Sequence, residues 1–153
     1  MANVQADIKA AQVNTIPTRL RTQSFFGRIR IFEATYTVPA TGGPIVGETI
    51  SWGQLPVGAR TLGNMGKLYF STGAAASTLN LGDAVSAARH LAATAVTTAG
   101  NAVPEAANAA GAQFSTSDSS TAVTNNCDLI STVAGAALVA GQVITLRFPF
   151  VND

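Results

Sequence analysis

The sequence predicts an all-β domain: a β-sandwich or jelly roll of about eight short strands, preceded by an extended N-terminal arm. Three observations carry that prediction. Bulky apolar residues recur at every second position in short runs, most plainly in Lys67-Leu68-Tyr69-Phe70, in Thr78-Leu79-Asn80-Leu81 and in Ile144, Leu146, Phe148 and Phe150. That period places them on one face of a half-buried strand. Glycine-bearing turns such as Gly63, Gly66, Gly73 and Gly82 punctuate the runs. The chain also lacks heptads, internal repeats and charge blocks. Its 153 residues suffice for one core and hardly for two, so we divide it into an arm, residues 1–24, and a single β-sandwich domain, residues 25–153.

In the arm, Ile8, Val13, Ile16 and Leu20 are too widely spaced to make a strong apolar face. Asp7–Val13 can form a turn or two of helix, which Pro17 stops. Fixing such a segment costs about 1–2 kcal/mol of backbone entropy per residue, so it gains little by ordering on its own domain. In an assembly it would order against a neighbour. Arg28–Val38 reads as the first strand. Ile29 and Ile31 lie on one parity and Ala34, Tyr36 and Val38 on the other, which predicts a β-bulge at Phe32-Glu33 that turns both sets to the core.

Thr41-Gly42-Gly43-Pro44 ends that strand, and Ile45–Trp52 is the second, with Trp52 as a core anchor. Ala59–Leu62, Lys67–Phe70 and Thr78–Leu81 follow, the last two read as a two-strand unit. Asp83 is placed to cap a helical turn, after which His90–Val96 reads as strand. Asn101–Gly111 is either a helix begun at Pro104-Glu105 or a long loop of small residues, and Gln113–Asn126 reads as surface strand and loop. Asp128–Val133 and Gln142–Val151 are strands joined by Ala134–Gly141 as a hairpin loop. Pro149 has no amide donor, so its end of the last strand is expected at a sheet edge or beyond the ladder.

Charged residues make up 11% of the chain, against roughly 25% in ordinary soluble domains. A surface so poor in charge has little repulsion to keep copies apart, which points to an assembly; an extracellular β domain is the plainer alternative. The net charge of +1 argues neither for nor against nucleic acid. One cysteine, Cys127, excludes an internal disulfide, and we read it as a buried thiol that can otherwise pair only between subunits. MANVQADIKA has no basic region followed by an apolar core, so no signal peptide is expected. No apolar run reaches the roughly 18–20 residues of a membrane span, so no membrane partner is expected.

Positive charge gathers at the front, where residues 1–30 hold five basic side chains and one acidic. Arg19, Arg21, Arg28 and Arg30 flank Phe25-Phe26. Cations interleaved with aromatics are one way to grip single-stranded nucleic acid. The alternation Arg28-Ile29-Arg30-Ile31 is instead that of a strand, so these six residues are read as subunit or protein contacts and nucleic acid is not expected as a partner. Asp83 and Arg89 are isolated charges around a glycine bend and are expected to close it as an ion pair. An enzyme needs convergent titratable groups. Here the acids are scattered singly, and the one histidine, His90, lacks a neighbouring second ligand for a transition metal. A Cys127–His90 dyad has no local support. The expectation is a non-enzyme with no cofactor, no metal and no small-molecule substrate.

The ordered series Pro56, Gly58, Ala59 and Arg60, then Leu81-Gly82-Asp83, then Arg89-His90-Leu91-Ala92-Ala93 resembles that of a group of small structural proteins of tailed bacteriophages. Similar chains also end, as this one does, in a hydrophobic strand finishing on Val151-Asn152-Asp153. The resemblance implies a capsid cement or decoration protein with a jelly-roll-like fold, a homotrimer bound to the major capsid protein on the outer surface of a phage head. It implies a virion location after synthesis in the bacterial host cytoplasm. In that setting Arg19, Arg21, Phe25, Phe26, Arg28 and Arg30, read from the local positive excess and not from the resemblance, are the expected capsid or subunit contacts. The alternative is a receptor- or glycan-binding tail fibre or spike module, which can use the same sandwich. Glycan binders usually show aromatics in their loops. Loops 71–78, 99–112 and 115–126 have only Phe114 nearby, which favours the capsid role.

Overall fold

A computed structural model describes residues 28–56, 58–105 and 128–151, and among these nine strands form two antiparallel sheets. The strands are β1 (Ile29–Thr37), β2 (Thr49–Gln54), β3 (Arg60–Thr61), β4 (Lys67–Phe70), β5 (Thr78–Leu81), β6 (Leu91–Ala95), β7 (Gly100–Ala102), β8 (Asp128–Ala134) and β9 (Val143–Val151). One sheet runs β1-β9-β4-β7, with β3 also pairing β9; the other runs β2-β8-β5-β6. Without the two-residue β3, each strand pairs with its counterpart counted from the opposite end: β1 with β9, β2 with β8, β4 with β7, β5 with β6. An antiparallel ribbon rolled across two facing sheets has this order. It is the jelly-roll form of the sandwich, and the all-β expectation holds.

The core lies between the sheets and follows the period-two pattern. β4 buries Leu68 and Phe70, β5 buries Leu79 and Leu81, β8 buries Leu129 and Val133, and β9 buries Ile144, Leu146, Phe148 and Phe150. Trp52 is buried on β2, and its indole Nε1 donates to Ser131 Oγ at 2.9 Å, which satisfies the one polar atom it carries inside.

Several expectations are corrected. Lys67–Phe70 and Thr78–Leu81 are not a two-strand unit, because β4 and β5 lie in opposite sheets. Ala134–Gly141 is likewise no hairpin loop; it carries the chain from one sheet to the other. Alternation says which side chains face inward, not which strand lies alongside. No bulge interrupts β1, which pairs β9 in one register from Ile29↔Val151 to Thr37↔Val143. Phe32, Ala34 and Tyr36 therefore keep the inward face, and Ile29 and Ile31 turn outward. Register shifts lie instead in the β5–β6 pairing, between Leu79 and Leu81, and on β2, between Ser51 and Gly53. Gly53 takes φ +138° there, and a side chain would meet the Phe32 ring at 3.2 Å.

β2 begins only at Thr49, because Ile45–Glu48 forms a turn in which Glu48 Oε2 accepts from the Ile45 amide. Asp83 caps a turn but no helix follows it, and Glu105 has φ +55°, a left-handed conformation that excludes a helix starting there. Pro149 sits inside β9 opposite Ile31, not at an edge. Its carbonyl accepts from Leu62 N at 2.9 Å. In an antiparallel strand the N and O of one residue point the same way. The missing donor therefore faces the 3-10 turn Gly63–Met65, where β3 gives way to β4 and no ladder bond is required. The arm 1–24, Gln113–Asn126, Cys127 and Asn152-Asp153 lie outside the described residues.

Candidate functional site

Because β1, β9 and β4 are adjacent, their outward side chains form one surface. Ile31 of β1 lies opposite Pro149 of β9, Glu33 lies opposite Arg147, and Arg147 in turn lies opposite Lys67 of β4. Ile31 is 64% exposed, Met65 63% and Tyr69 37%. With Lys67, Arg147 and Pro149 they line a shallow depression. The Arg147 side chain is held from two sides. Its Nε donates to Glu33 Oε2 at 3.0 Å, and its guanidinium carbon stands 5.6 Å from the centre of the Tyr69 ring. Both partners of the ion pair are half-exposed, so the pair contributes about 0.2–1 kcal/mol, and the cation–π contact is of similar size. Their effect is to fix a cation beside an apolar floor.

Of the residues singled out as contacts, Arg28 and Arg30 stand exposed at the start of β1. Arg30 lies opposite Phe150 and Arg60 of β3 opposite Val151, so two arginines flank β9 at one end of the sheet. Arg19, Arg21, Phe25 and Phe26 lie outside the described residues.

Asp83 and Arg89 are in contact, Arg89 Nε donating to Asp83 Oδ2. The Asp83 side chain is fully buried, and its Oδ1 also accepts from the amides of Val85 at 2.8 Å and Ser86 at 2.7 Å. One carboxylate thus ties down the whole turn that delivers His90 to its place before β6. Asp83→Ala strips an acceptor from two amides and a guanidinium, and is expected to lower the unfolding free energy by about 1–3 kcal/mol. Urea denaturation at neutral pH checks it; an unchanged midpoint would mean that water replaces the carboxylate without loss.

A second polar cluster was not anticipated from the sequence. His90 and Glu105 are both buried, and His90 Nδ1 donates to Glu105 Oε1 at 2.7 Å. Thr61 Oγ1 donates to the same oxygen at 2.8 Å, and Gly63 N donates to Oε2 at 2.9 Å. The backbone repeats the tie, Glu105 N donating to His90 O. Burial pushes the Glu105 carboxyl upward. The bonds from His90 and Thr61, the attraction of His90 and the Gly63 amide outweigh that and hold it below its ordinary value. A Cβ at Gly63 would stand 2.7 Å from Glu105 Cδ, so the carboxylate is seated against bare backbone. The His90 ring meets Phe148 edge-on, with centroids 4.9 Å apart. With both oxygens engaged and water shut out, this cluster fastens β3 and its following turn to the segments flanking β6 and β7. One sequence signal pointed to it: His90 and Glu105 are the only titratable residues between Arg89 and Asp118. Among the described residues no group of three or more His, Cys, Asp or Glu could hold a metal ion.

No protein-family model matches the chain, and no curated protein matches it. Among solved structures, a chain of the cyanophage Pam1 capsid asymmetric unit is similar over 92% of this chain and 98% of its own, with a TM-score of 0.58 and 20% identity. The two chains share a fold. Coverage this complete on both sides means that the likeness runs through both sheets, not through one hairpin. At 20% identity it is the path of the backbone that is shared, so the roles of individual side chains rest on the geometry above.

Proposed function

We propose that the chain is a structural protein of a phage virion, a cement or decoration protein that binds the outer surface of the head and stabilises the shell. The observation that carries this reading is the likeness, over nearly the whole of both chains, to a chain of a capsid asymmetric unit. The ordered motifs from Pro56 to Ala93 and the 11% charge content support it, the first by their similarity to phage structural proteins and the second by suiting a surface to association. In this reading the protein is a homotrimer and its partner is the major capsid protein. The arm of residues 1–24, with Arg19, Arg21, Phe25 and Phe26 at its end and just beyond, extends over the shell or neighbouring copies. Ordering that arm is costly, so each arm contributes weakly and an oligomer multiplies the contribution by avidity.

The test mixes purified protein with shells assembled without it. The full chain is expected to coat them at a stoichiometry comparable to the shell subunit and to raise their heat resistance, while a truncation starting near Ser24 coats them poorly. Light scattering is expected to give three times the 15.6 kDa chain mass. A full chain that neither binds shells nor protects them overturns the reading. A truncated chain that performs as well as the full one removes the arm from it.

A further inference from the structure

We propose that the outer face of the five-stranded sheet, with Ile31, Met65 and Tyr69 as its floor and Lys67 and Arg147 as its rim, docks an acidic protein surface that sets an apolar side chain into the depression. The inference rests on the shell-binding reading and names the surface that would meet the shell. The packing of the sandwich does not require these residues to be apolar. Ile31 and Met65 are each nearly two-thirds exposed, on a face whose opposite side already carries the core. Contiguous exposed apolar side chains with a polar rim mark interaction sites more often than chance surface. Tyrosine and arginine are also the side chains that concentrate binding energy at interfaces. Arg147 is already positioned by Glu33 and Tyr69, so a partner carboxylate meets a cation that has little left to lose in conformational freedom.

Charge selects the occupant. Among the described residues, the outward charges of this face are Arg60, Lys67, Arg147 and Glu33, an excess of two positive charges, and the one carboxylate is bonded to Arg147. A second copy docking face to face would bring like charges together, which costs association energy. A nucleic acid would need a line of cations along its backbone. Here the cations are few, a carboxylate lies among them, and the floor is aliphatic apart from Tyr69. A protein surface with carboxylates around one apolar side chain satisfies both the floor and the rim.

The test uses the full chain and shells assembled without it, comparing wild type with Ile31→Asp and Lys67→Glu. Both positions are exposed, so unchanged thermal midpoints are expected. Binding is expected to weaken roughly tenfold or more in each, while Val46→Asp, an exposed position preceding β2 of the other sheet, binds as wild type. Wild-type binding should also fall as salt is raised, and Lys67→Glu should lose that dependence. If wild type does not bind shells, the functional reading itself fails. If wild type binds and the folded variants bind within about twofold of it, this surface is not the one used. Should a variant misfold, carbodiimide coupling of the wild-type complex decides. A link from Lys67 to a carboxylate of the shell protein supports the proposal. A link to Asp7 or Asp118 of the same chain, to a second copy, or to nothing overturns it.

Discussion

Glu105→Ala is expected to lower the unfolding free energy by about 3–5 kcal/mol, the cost of leaving several buried donors without their acceptor. Three donors lose their acceptor at once: His90 Nδ1, Thr61 Oγ1 and the Gly63 amide. None can turn to solvent, since Thr61, Gly63 and His90 are all buried. Glu105→Gln preserves the shape but replaces one oxygen by an NH2 group, which sets a donor against a donor. Its cost is expected to be smaller, about 1–3 kcal/mol. A loss below about 0.5 kcal/mol for the alanine variant, measured by urea denaturation at pH 7, would mean that the cluster contributes little.

The same cluster sets a pH dependence with a definite sign. The folded-state pKa of Glu105 is depressed below its ordinary value of 4.5, so the native state binds the proton less readily than the unfolded chain. The contribution is therefore fully present above about 4.5 and is lost as pH falls through the depressed folded value. The stability gap between wild type and Glu105→Gln is expected to narrow as pH falls below that point. A gap that widens on acidification contradicts the assignment.

How much of this was legible beforehand differs by kind. β4 and β5 were readable to the residue, because Leu68/Phe70 and Leu79/Leu81 alternate without ambiguity between glycines. Trp52 and the apolar series of β9 were readable as core for the same reason. Partner strands were not. Thr35 and Thr145 share a hydrogen bond across 110 residues of chain, and no local period records such a pairing. The bulge expected at Phe32-Glu33 came from assuming that every isoleucine goes inward; Ile29 and Ile31 instead lie on the candidate docking face. The link from His90 to Glu105 depends on how β3, β6 and β7 are rolled together, and each charge alone looks like a surface residue.

Phe148→Ala is expected to cost about 3–5 kcal/mol, by lost transfer energy and the cavity left behind. Phe148 is fully buried on β9, between β1 on one side and β3 and β4 on the other, where no edge can relax to fill the space. Phe148→Leu keeps most of the volume and is expected to cost about 1–2 kcal/mol. The informative measurement is the pair. The Phe148 ring packs edge-on against His90, which in turn donates to Glu105, so truncating either residue loosens the imidazole that both hold. Once Phe148 is gone, His90 can shift and take water as a partner, and less remains to be lost on removing Glu105. The double variant Phe148→Leu/Glu105→Gln should therefore be more stable than the sum of the single losses implies, by about 0.5 kcal/mol or more. Strict additivity across the cycle would show that the aromatic core and the carboxylate cluster act independently, and that His90 does not couple them.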